Sequence, residues 1–599
     1  MIEKAKRSLL HEAWRIARVY WTSEEKWSAW GLLGLIIGLN LGIVFVGIQI
    51  NEWNRVFWNA LQVFDSNAVF RQLGYFGLIA GSGVVLTVSA LYFNQMLQIR
   101  WRRWLTEKYL NAWLANRAYY QLQLKNTIDN PDQRISEDVQ LFTTNICTVG
   151  VNLFTAIVGM LSFLVILWGL SGPAAIPLGR LGTLNIPGYL VWAALLYAGV
   201  ATFITTKLGR PLVPLNFRKQ RFEGDFRFSL VRVRENAESV ASYGGEQVEL
   251  GLFRQRFQNV ADNFRQIMKR QARLGSFTST FAQLAFAFPV LVVSPRYFAK
   301  QITFGVLMQV ANAFCYVHDR ISSIISAYPD IVSWLAVTER LSSFDLELQE
   351  IHTGPERRPG PGGGHRIAIQ RGGANFSVED LDLDLPDGTA LLRGISCQLS
   401  RGSGLLISGP TGSGKSTLLR AIAGIWPYGS GDIRTGEGRT LLVPQRPYLP
   451  LGTLANALAY PSTDGDGFST AQLAAALGEV GLGSYASQLD VVDNWGQRMS
   501  LGEQQRLAFA RVLLTQPALL FLDESTAALD EAGEARLYGL LKSPTWQPTV
   551  VSVGHRTTLI KFHDAILDLA PYIPLKKDVV LPLHAQLEEA ALETEFIQA

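Results

Sequence analysis

The sequence predicts a membrane domain of six transmembrane helices followed by an α/β domain of the P-loop NTPase class. All long apolar runs lie in residues 1–345, and a glycine-rich phosphate-binding pattern occurs in the last third. With 599 residues, a mean hydropathy of +0.15 and 17% charged residues, the chain is too long for one core and too apolar for a wholly soluble protein. Residues 353–365 are rich in Pro and Gly, which indicates a linker. We therefore expect a membrane domain over 1–345, a linker over 346–366 and a nucleotide-binding domain over 367–599.

The membrane domain is predicted from apolar stretches of spanning length. A helix needs about 20 apolar residues to cross about 30 Å of hydrocarbon. The fifth and sixth stretches are interrupted by Ser, Thr, Gln and Asn. These residues are typical of helices that face a water-filled cavity or a partner helix. The six stretches are approximately 27–50, 73–97, 146–169, 187–207, 275–294 and 303–328.

The distribution of Lys and Arg predicts the orientation of these spans. The N-terminal segment and the two long loops carry 26 of these residues, whereas the three alternate loops carry 5. Positive charge concentrates on the cytoplasmic side of membrane proteins. The N-terminus, the long loops and the nucleotide-binding domain are therefore expected in the cytoplasm, and the chain is expected to be an integral membrane protein in contact with the lipid bilayer.

Net charge and cysteine content exclude other classes. A net charge of +4 is small for this length and gives no reason to expect nucleic acid as a partner. The three cysteines are Cys147, Cys315 and Cys397, which are far apart and have no metal-ligand spacing. We expect them to be unpaired packing residues.

Each long cytoplasmic loop contains a candidate short helix that could contact the nucleotide-binding domain. In the first loop, Asn130 is predicted to cap a helix that begins at Pro131, with Gln133 at the capping-box position. In the second loop, residues 234–238 and 243–246 form another candidate. The alternative is that both are solvated helix faces.

The phosphate-binding pattern occurs in the context that it requires. Gly404 to Ser408 is predicted to be a buried strand, and a helix is predicted to open at Lys415. Loop glycines let backbone amides approach phosphates, and the helix N-terminus favours negative charge. Lys415 is expected to neutralise the β- and γ-phosphates of ATP, and Ser416 to bind Mg²⁺. The predicted cofactor-binding residues of this loop are Gly409, Pro410, Thr411, Gly412, Ser413, Gly414, Lys415, Ser416 and Thr417.

Two acidic residues follow the apolar run Ala518 to Leu522. Asp523 is predicted to hold Mg²⁺ together with Ser416. Glu524 comes directly after it and is predicted to be the general base that orients and polarises the attacking water. Both assignments depend on a buried strand that ends at Asp523.

Two further residues complete the predicted catalytic set. His555 follows the apolar strand Thr549 to Val553, where an imidazole could contact the γ-phosphate. Gln445 is predicted to sense the metal ion and the water, and it is the third member of the predicted metal site. We assign catalytic roles to Glu524, His555 and Gln445.

A second helix start supplies another predicted anion site. Ser500, Gly502 and Glu503 lie where a helix opens, and its first amides can bind phosphate. This segment cannot easily fold back onto the P-loop of its own chain, so we expect it to cap ATP held by a second copy. Asp530, which ends the Ala528-Leu529-Asp530 element, is added to this nucleotide-binding set.

This ordered series of elements resembles the nucleotide-binding domain of ABC transporters. In the membrane half, four regions are similar to the SbmA/BacA-like transporters and their relatives, the peroxisomal fatty-acyl transporters of subfamily D. Residues 499–504, Met-Ser-Leu-Gly-Glu-Gln, resemble the variant frequent in the BacA-like group. The four membrane regions are 51–62, 101–105, 129–135 and 236–246.

The resemblance implies a homodimeric transporter with twelve helices, an exporter-type fold and a requirement for ATP and Mg²⁺. It further implies a bacterial inner-membrane protein that takes up peptides or cobalamin-like hydrophilic compounds. Two alternatives stay open. One is a fatty-acyl or lipid transporter, or an exporter; the other is a membrane-anchored regulatory ATPase that moves no solute.

One position departs from the ABC pattern. An aromatic residue usually stacks on adenine from the strand before the P-loop, and the corresponding residue here is Leu385. We therefore expect modest base selectivity and tolerance of GTP.

A charged triplet lies in the sixth span. His318, Asp319 and Arg320 are about 15 residues into the helix, roughly 23 Å from its outer end at 1.5 Å per residue. They either line a hydrophilic cavity or mark the cytoplasmic edge of the membrane, and the second interpretation is favoured.

Overall fold

The computed structural model describes residues 2–125, 130–177, 183–353, 367–373, 375–462, 467–542 and 546–574. The chain divides into two compact units, Met1–Gly354 and Pro355–Ala599. The first is built from long helices and the second from parallel and antiparallel sheets with short helices.

Twelve helices form the described part of the membrane unit. They are α1 (Ile2–Trp21), α2 (Lys26–Gln62), α3 (Ser66–Leu114), α4 (Ala118–Lys125), α5 (Pro131–Gln133), α6 (Val139–Ser171), α7 (Tyr189–Gly209), α8 (Leu212–Glu235), α9 (Ala237–Tyr243), α10 (Glu246–Phe298), α11 (Phe304–Ser326) and α12 (Tyr328–Thr353). An antiparallel pair, β1 (Pro173–Pro177) and β2 (Thr183–Pro187), connects α6 to α7.

Within the described residues, six helical segments are long and apolar enough to cross a membrane. Each predicted span falls within one of them, apart from the first residues of the fourth, the first residue of the sixth and a break at Ala327 in the sixth. The prediction of six apolar helices in the membrane domain is confirmed. The helices continue well beyond the apolar stretches, and α10 alone has 53 residues. The segments are Lys26–Gln62, Ser66–Lys125, Pro131–Ser171, Tyr189–Glu235, Glu246–Phe298 and Phe304–Thr353.

The predicted helix cap at Asn130 is wrong. A helix does begin at Pro131, but Asn130 adopts a left-handed conformation with φ of 51° and makes no capping hydrogen bond from its side chain. Gln133 donates instead to Glu137, one turn further on (3.0 Å). A genuine cap occurs at Asp65, whose carboxylate accepts a hydrogen bond from the Ala68 amide and starts α3.

Aromatic packing and a buried ion pair stabilise the part of this unit where α1, α3 and α12 meet the turn before α6. Tyr20 of α1 stacks on Trp101 of α3, with ring centroids 5.4 Å apart, and both side chains are fully buried. The buried carboxylate of Asp138 accepts hydrogen bonds from Arg134 (2.9 Å) and from Arg340 of α12 (2.9 Å from Nε). Asp138 therefore ties the turn before α6 to α12.

The expected linker begins inside a helix, because α12 continues to Thr353. Residues 354–366 lie outside the described part of the chain. The division into units falls between Gly354 and Pro355.

The second unit contains a five-stranded parallel sheet and a four-stranded sheet. Its strands are β3 (Ile367–Arg371), β4 (Phe376–Asp384), β5 (Ala390–Leu399), β6 (Gly404–Ser408), β7 (Gly429–Thr435), β8 (Thr440–Val443), β9 (Gly452–Thr453), β10 (Val492–Asp493), β11 (Leu519–Asp523), β12 (Thr549–Val553) and β13 (Ala565–Asp568). The parallel sheet has the order β13-β6-β12-β11-β8, and the other sheet has the order β3-β7-β4-β5. Its helices are α13 (Lys415–Ile422), α14 (Leu454–Ala459), α15 (Thr470–Glu479), α16 (Trp495–Arg498), α17 (Leu501–Thr515) and α18 (Glu531–Leu540).

The register of the parallel sheet brings three strand ends to one edge. Asp523 of β11 pairs with Val553 of β12, and Val553 pairs with Ile407 of β6. Since parallel strands all end at the same edge, the segments that follow them are neighbours. The phosphate loop, Glu524 and His555 are therefore close together although up to 146 positions separate them in sequence.

Candidate functional site: a nucleotide site at the sheet edge

The phosphate loop has a backbone conformation that favours glycine at three positions, Gly409, Gly412 and Gly414. Gly409 and Gly414 have φ of 149° and 89°, in the range that other residues rarely adopt. A Cβ on Gly414 would also lie 3.0 Å from the Leu391 side chain. The loop is closed by Lys415, whose Nζ donates to the carbonyls of Gly409 (2.9 Å) and Pro410 (2.8 Å).

The loop fits a polyphosphate. The Ser413 hydroxyl is buried and has no hydrogen-bond partner among the described residues, and the side chain of Lys415 is also buried. Helix α13 begins at Lys415, so its first amide groups are available at the same place. Residues Gly409 to Thr417 could hold the phosphates of ATP, with Lys415 supplying the positive charge.

Ser416 and Asp523 form the predicted metal pair. The Ser416 hydroxyl donates a 2.7 Å hydrogen bond to Asp523 Oδ1 across the ends of β6 and β11. Burial raises the pKa of Asp523, whereas the hydrogen bond from Ser416 works in the opposite direction. A hydroxyl and a carboxylate are the oxygen ligands that Mg²⁺ prefers, so this pair fits the ion that ATP carries.

Glu524 is held from two sides. Gln445 Nε2 donates to its Oε2 (2.9 Å), and His555 Nε2 lies 3.2 Å from its Oε1. The residue has a φ of 45°, a left-handed conformation, and its amide donates to the Val553 carbonyl of the neighbouring strand (3.1 Å). The structure therefore brings all three predicted catalytic residues together around one carboxylate.

Helix α17 begins with a capping box. The Ser500 hydroxyl accepts from the Glu503 amide (3.4 Å), and the Glu503 carboxylate accepts from the Ser500 amide (2.9 Å). Tyr485 donates to the other carboxylate oxygen of Glu503 (3.1 Å). Partial burial opposes the charged form, but the hydrogen bonds from Ser500 and Tyr485 keep the pKa of Glu503 below its usual value. The Glu503 carboxylate thus holds its own helix start in place.

The other two residues of that predicted set also support local structure. A Cβ on Gly502 would lie 3.2 Å from the Ala528 carbonyl oxygen, so α17 packs closely on the segment before Asp530. Asp530 caps α18 by accepting a hydrogen bond from the Gly533 amide (3.1 Å). Among the described residues, no hydrogen bond or ion pair joins Ser500, Gly502 or Glu503 to the phosphate loop.

Sequence reasoning missed Gln505, which connects two loops of the site. This fully buried side chain of α17 donates from Nε2 to the Gln445 carbonyl (3.0 Å) and accepts at Oε1 from the Ala528 amide (3.0 Å). Gln505 therefore positions the residue that contacts Glu524. Nothing in its sequence position separates it from the neighbouring Gln504.

Glu534 was not predicted as a site residue either, although the residue pattern of α18 indicates that its side chain is buried. Its buried positions follow helical spacing, and Glu534 occupies one of them together with Leu537 and Tyr538. The buried carboxylate accepts from Thr526 (2.9 Å) and Thr558 (2.7 Å). It thereby links the segment after Glu524 to the segment after His555.

These elements define an ATPase cassette in a chain that also has a membrane domain. Residues 16–298 match the family described as ABC transporter transmembrane region 2, and residues 392–527 match the family described as ABC transporter. The chain belongs to the ABC transporters that combine a transmembrane region and an ATPase domain in one polypeptide, and it hydrolyses ATP to drive transport.

Relatives connect the chain to subfamily D. It is 36% identical over 637 residues to ABC transporter D family member 2, chloroplastic, of Arabidopsis thaliana, covering 95% of this chain and 87% of the relative. It is 29% identical over 525 residues to the lysosomal cobalamin transporter ABCD4 of Homo sapiens, covering 81% and 83%.

A solved structure has the same fold. A bacterial Atm1-family ABC exporter with ATP bound superposes with a TM-score of 0.68, covering 90% of this chain and 94% of that one, at 20% identity. The exporter-type fold expected from the sequence is confirmed.

Proposed function

We propose that two copies of the chain form a homodimeric transporter of the SbmA/BacA-like type that takes up hydrophilic solutes, either peptides or cobalamin-like compounds. The proposal extends the family assignment to a stoichiometry, a direction and a class of solute. The chain would reside in a bacterial inner membrane, with both termini in the cytoplasm as the Lys and Arg distribution predicts.

The start of α17 is the observation that supports the proposed dimer. Ser500 and the first amides of the helix form an anion site that makes no bond to the phosphate loop among the described residues of its own chain. A head-to-tail pair of cassettes would give this site a ligand, the ATP bound by the other copy. Each ATP would then be enclosed by the P-loop of one copy and by Ser500 and Gly502 of the other.

Within each site, the side chains would divide the chemistry. Ser416, Asp523 and Gln445 would hold Mg²⁺, which neutralises charge on the transferred phosphate when bound. Glu524 would polarise the attacking water, positioned by its contacts with Gln445 and His555. His555 would contact the γ-phosphate from its exposed side.

The class of solute is supported by likeness to relatives. The human relative is named as a cobalamin transporter, and the membrane segments resemble transporters that have been associated with uptake of peptides and cobalamin-like compounds. An acyl or lipid solute is the competing possibility.

Flux in sealed, oriented proteoliposomes tests this function. Vesicles containing the full chain are given ATP and a panel of peptides, corrinoids and acyl-CoAs, and Lys415→Ala serves as the matched control without nucleotide binding. ATP-dependent movement of peptides or corrinoids toward the cassette side is the expected result. Movement of acyl-CoAs alone, or outward movement, would replace the proposal by a lipid transporter or an exporter. ATP hydrolysis without any flux would indicate the regulatory ATPase.

A further inference from the structure

The charged triplet of the sixth span lies deep in the membrane domain. Tyr197, midway along the predicted fourth span, donates from its hydroxyl to the Phe281 carbonyl, and its ring lies 5.5 Å from the His318 imidazole. Gly159 is near the middle of the predicted third span, and a Cβ built on it would lie 3.4 Å from Arg320 Nε. The triplet therefore lies beside the middle of the third span and the middle of the fourth span. These contacts favour a position inside the spans over the cytoplasmic edge that the sequence favoured.

From this level inward, α11 exposes a polar face. Its exposed polar residues recur at spacings of three and four, so they share one side of the helix. The neighbouring helix α10 exposes a similar polar face at the same level, as the contact of Cys315 with the Ala285 carbonyl (3.5 Å) indicates. The two sets are Asp319, Ser322, Ser323 and Ser326 on α11, and Ser276, Ser279, Thr280 and Gln283 on α10.

Asp319 is the acidic group of this surface, and the exposed Arg273 of α10 lies one helical turn beyond Ser276. Asp319 is exposed, and its carboxylate takes part in no hydrogen bond or ion pair within the described ranges. A carboxylate at mid-membrane is costly against hydrocarbon, so such groups face water-filled cavities or ligands. The serine and threonine residues beside it indicate the same environment.

Arg320 does not neutralise this surface. Its guanidinium donates to the Tyr316 hydroxyl (2.8 Å) and lies 4.6 Å from the centroid of the same ring, which stacks on Phe163 of α6. Consecutive residues of a helix point in directions about 100° apart. Arg320 therefore packs toward α6, and of these two charges it is the carboxylate of Asp319 that reaches the exposed face.

We infer that the polar faces of α10 and α11 line a hydrated part of the solute pathway, in which Asp319 binds a positively charged group of the solute. This inference rests on the proposed transport function and narrows it to hydrophilic solutes that carry an ammonium or guanidinium group. Acyl anions would be repelled at the same point.

Charged thiol reagents test the inference without knowledge of the solute. The three native cysteines of the full chain are replaced by alanine, and Ser323→Cys is introduced one helical turn from Asp319. In proteoliposomes, the new cysteine is modified by two methanethiosulfonate reagents, one with a trimethylammonium group and one with a sulfonate group. Each rate of modification is divided by the rate of the same reagent with free cysteine in solution. The lipid-facing control is Val165→Cys, at an apolar position of α6 that is 73% exposed.

Fast modification at position 323, slow modification at position 165 and a preference for the cationic reagent are expected. Asp319→Asn should lower the cationic-to-anionic ratio about tenfold, because one charge about 6 Å away acts in opposite senses on the two reagents. Arg320→Gln should not lower that ratio.

Three results would overturn the inference. Position 323 could react no faster than position 165, which would mean that lipid or the second copy covers the face. The sulfonate reagent could be preferred, or the ratio could be unchanged in Asp319→Asn. The labelling result is independent of the flux assay, so a failure of the charge site and a failure of the transport function are distinguishable.

Discussion

Gln445 donates a 2.9 Å hydrogen bond to one carboxylate oxygen of Glu524, and this contact joins the segment after β8 to the segment after β11. The other oxygen faces His555 at 3.2 Å. Glu524 is therefore already oriented by protein groups on both sides.

Replacement of this carboxylate should separate binding from turnover. Glu524→Gln keeps the size of the side chain but removes the base, so we expect unchanged ATP affinity and a loss of hydrolysis of about 10²- to 10⁴-fold. ATP binding by fluorescence titration and phosphate release measure the two quantities. The variant should also accumulate as a closed dimer on size-exclusion chromatography with ATP. Hydrolysis at the normal rate would rule out the general-base role.

Gln505 should affect catalysis through the loops that it connects. Gln505→Leu leaves the Gln445 carbonyl and the Ala528 amide without their buried partner, which costs about 1–3 kcal/mol. We expect kcat to fall about tenfold with little change in the KM for ATP. Gln504→Leu is the matched control, because the hydrogen bonds of the Gln504 side chain to other described residues are with the Gly496 and Met499 carbonyls, both of which precede α17. Equal losses in both variants would contradict a specific positioning role.

Leu385 offers a test of base selectivity. Leu385→Tyr restores an aromatic ring at the position that usually stacks on adenine, and such contacts contribute about 0.5–1.5 kcal/mol. The KM for ATP should fall by up to about tenfold while the KM for GTP changes less. Initial-rate measurements with both nucleotides decide this, and Leu385→Ile serves as an apolar control. A wild-type enzyme that already rejects GTP would refute the expectation.

The buried carboxylate of Asp138 should be important for stability. Asp138→Asn leaves Arg134 and Arg340 without their shared negative partner, and breaking a buried ion pair costs about 3–5 kcal/mol. Thermal unfolding in detergent should show a clear decrease for this variant. The exposed pair of Arg265 and Asp262 provides the comparison, since Asp262→Asn should cost less than about 1 kcal/mol.

His563 predicts a pH dependence of the ATPase unit. Burial lowers the pKa of its imidazole, whose nitrogens lie 2.8 Å from the Leu559 carbonyl and the Ser552 hydroxyl. Below pH of about 6.5 the unfolded chain binds a proton that the folded chain does not, so stability should fall as the pH decreases through that value. Denaturant unfolding of the full chain from pH 7.5 to 5 measures the slope, and His563→Gln should reduce it. A slope of the opposite sign would contradict the assignment.

The sequence was most informative where a physical requirement leaves few alternatives. Apolar stretches of about 20 residues located the six long apolar helices of the described membrane unit. The spacing of glycines, apolar runs and acids located the segments that meet at the edge of the parallel sheet. Both patterns are local, and the fold preserves them.

Contacts between distant segments were not predictable in the same way. Gln505 and Gln504 are indistinguishable in sequence, yet only Gln505 is buried between two loops. Asn130 is a residue type that often caps helices, but its backbone is left-handed and its side chain makes no capping hydrogen bond. The position of the 318–320 triplet along the spans follows from the α6 residue beside Arg320 and the α7 residue beside His318, and hydropathy alone does not contain that information.

The pairing of Asp523 with Val553 has a consequence for insertions and deletions. Glu524 is the first residue after β11, and His555 is the second residue after the neighbouring strand β12. Their contact therefore depends on the number of residues between each strand end and the side chain. Strand β12 is held between β6 and β11, and it cannot slide to compensate for a length change. A Cβ on the intervening Gly554 would lie 2.2 Å from Leu559 Cδ1, so a larger residue there would require the buried Leu559 side chain to move. Adding or removing a single amino acid between Val553 and His555 should therefore be more damaging than most substitutions in the same region.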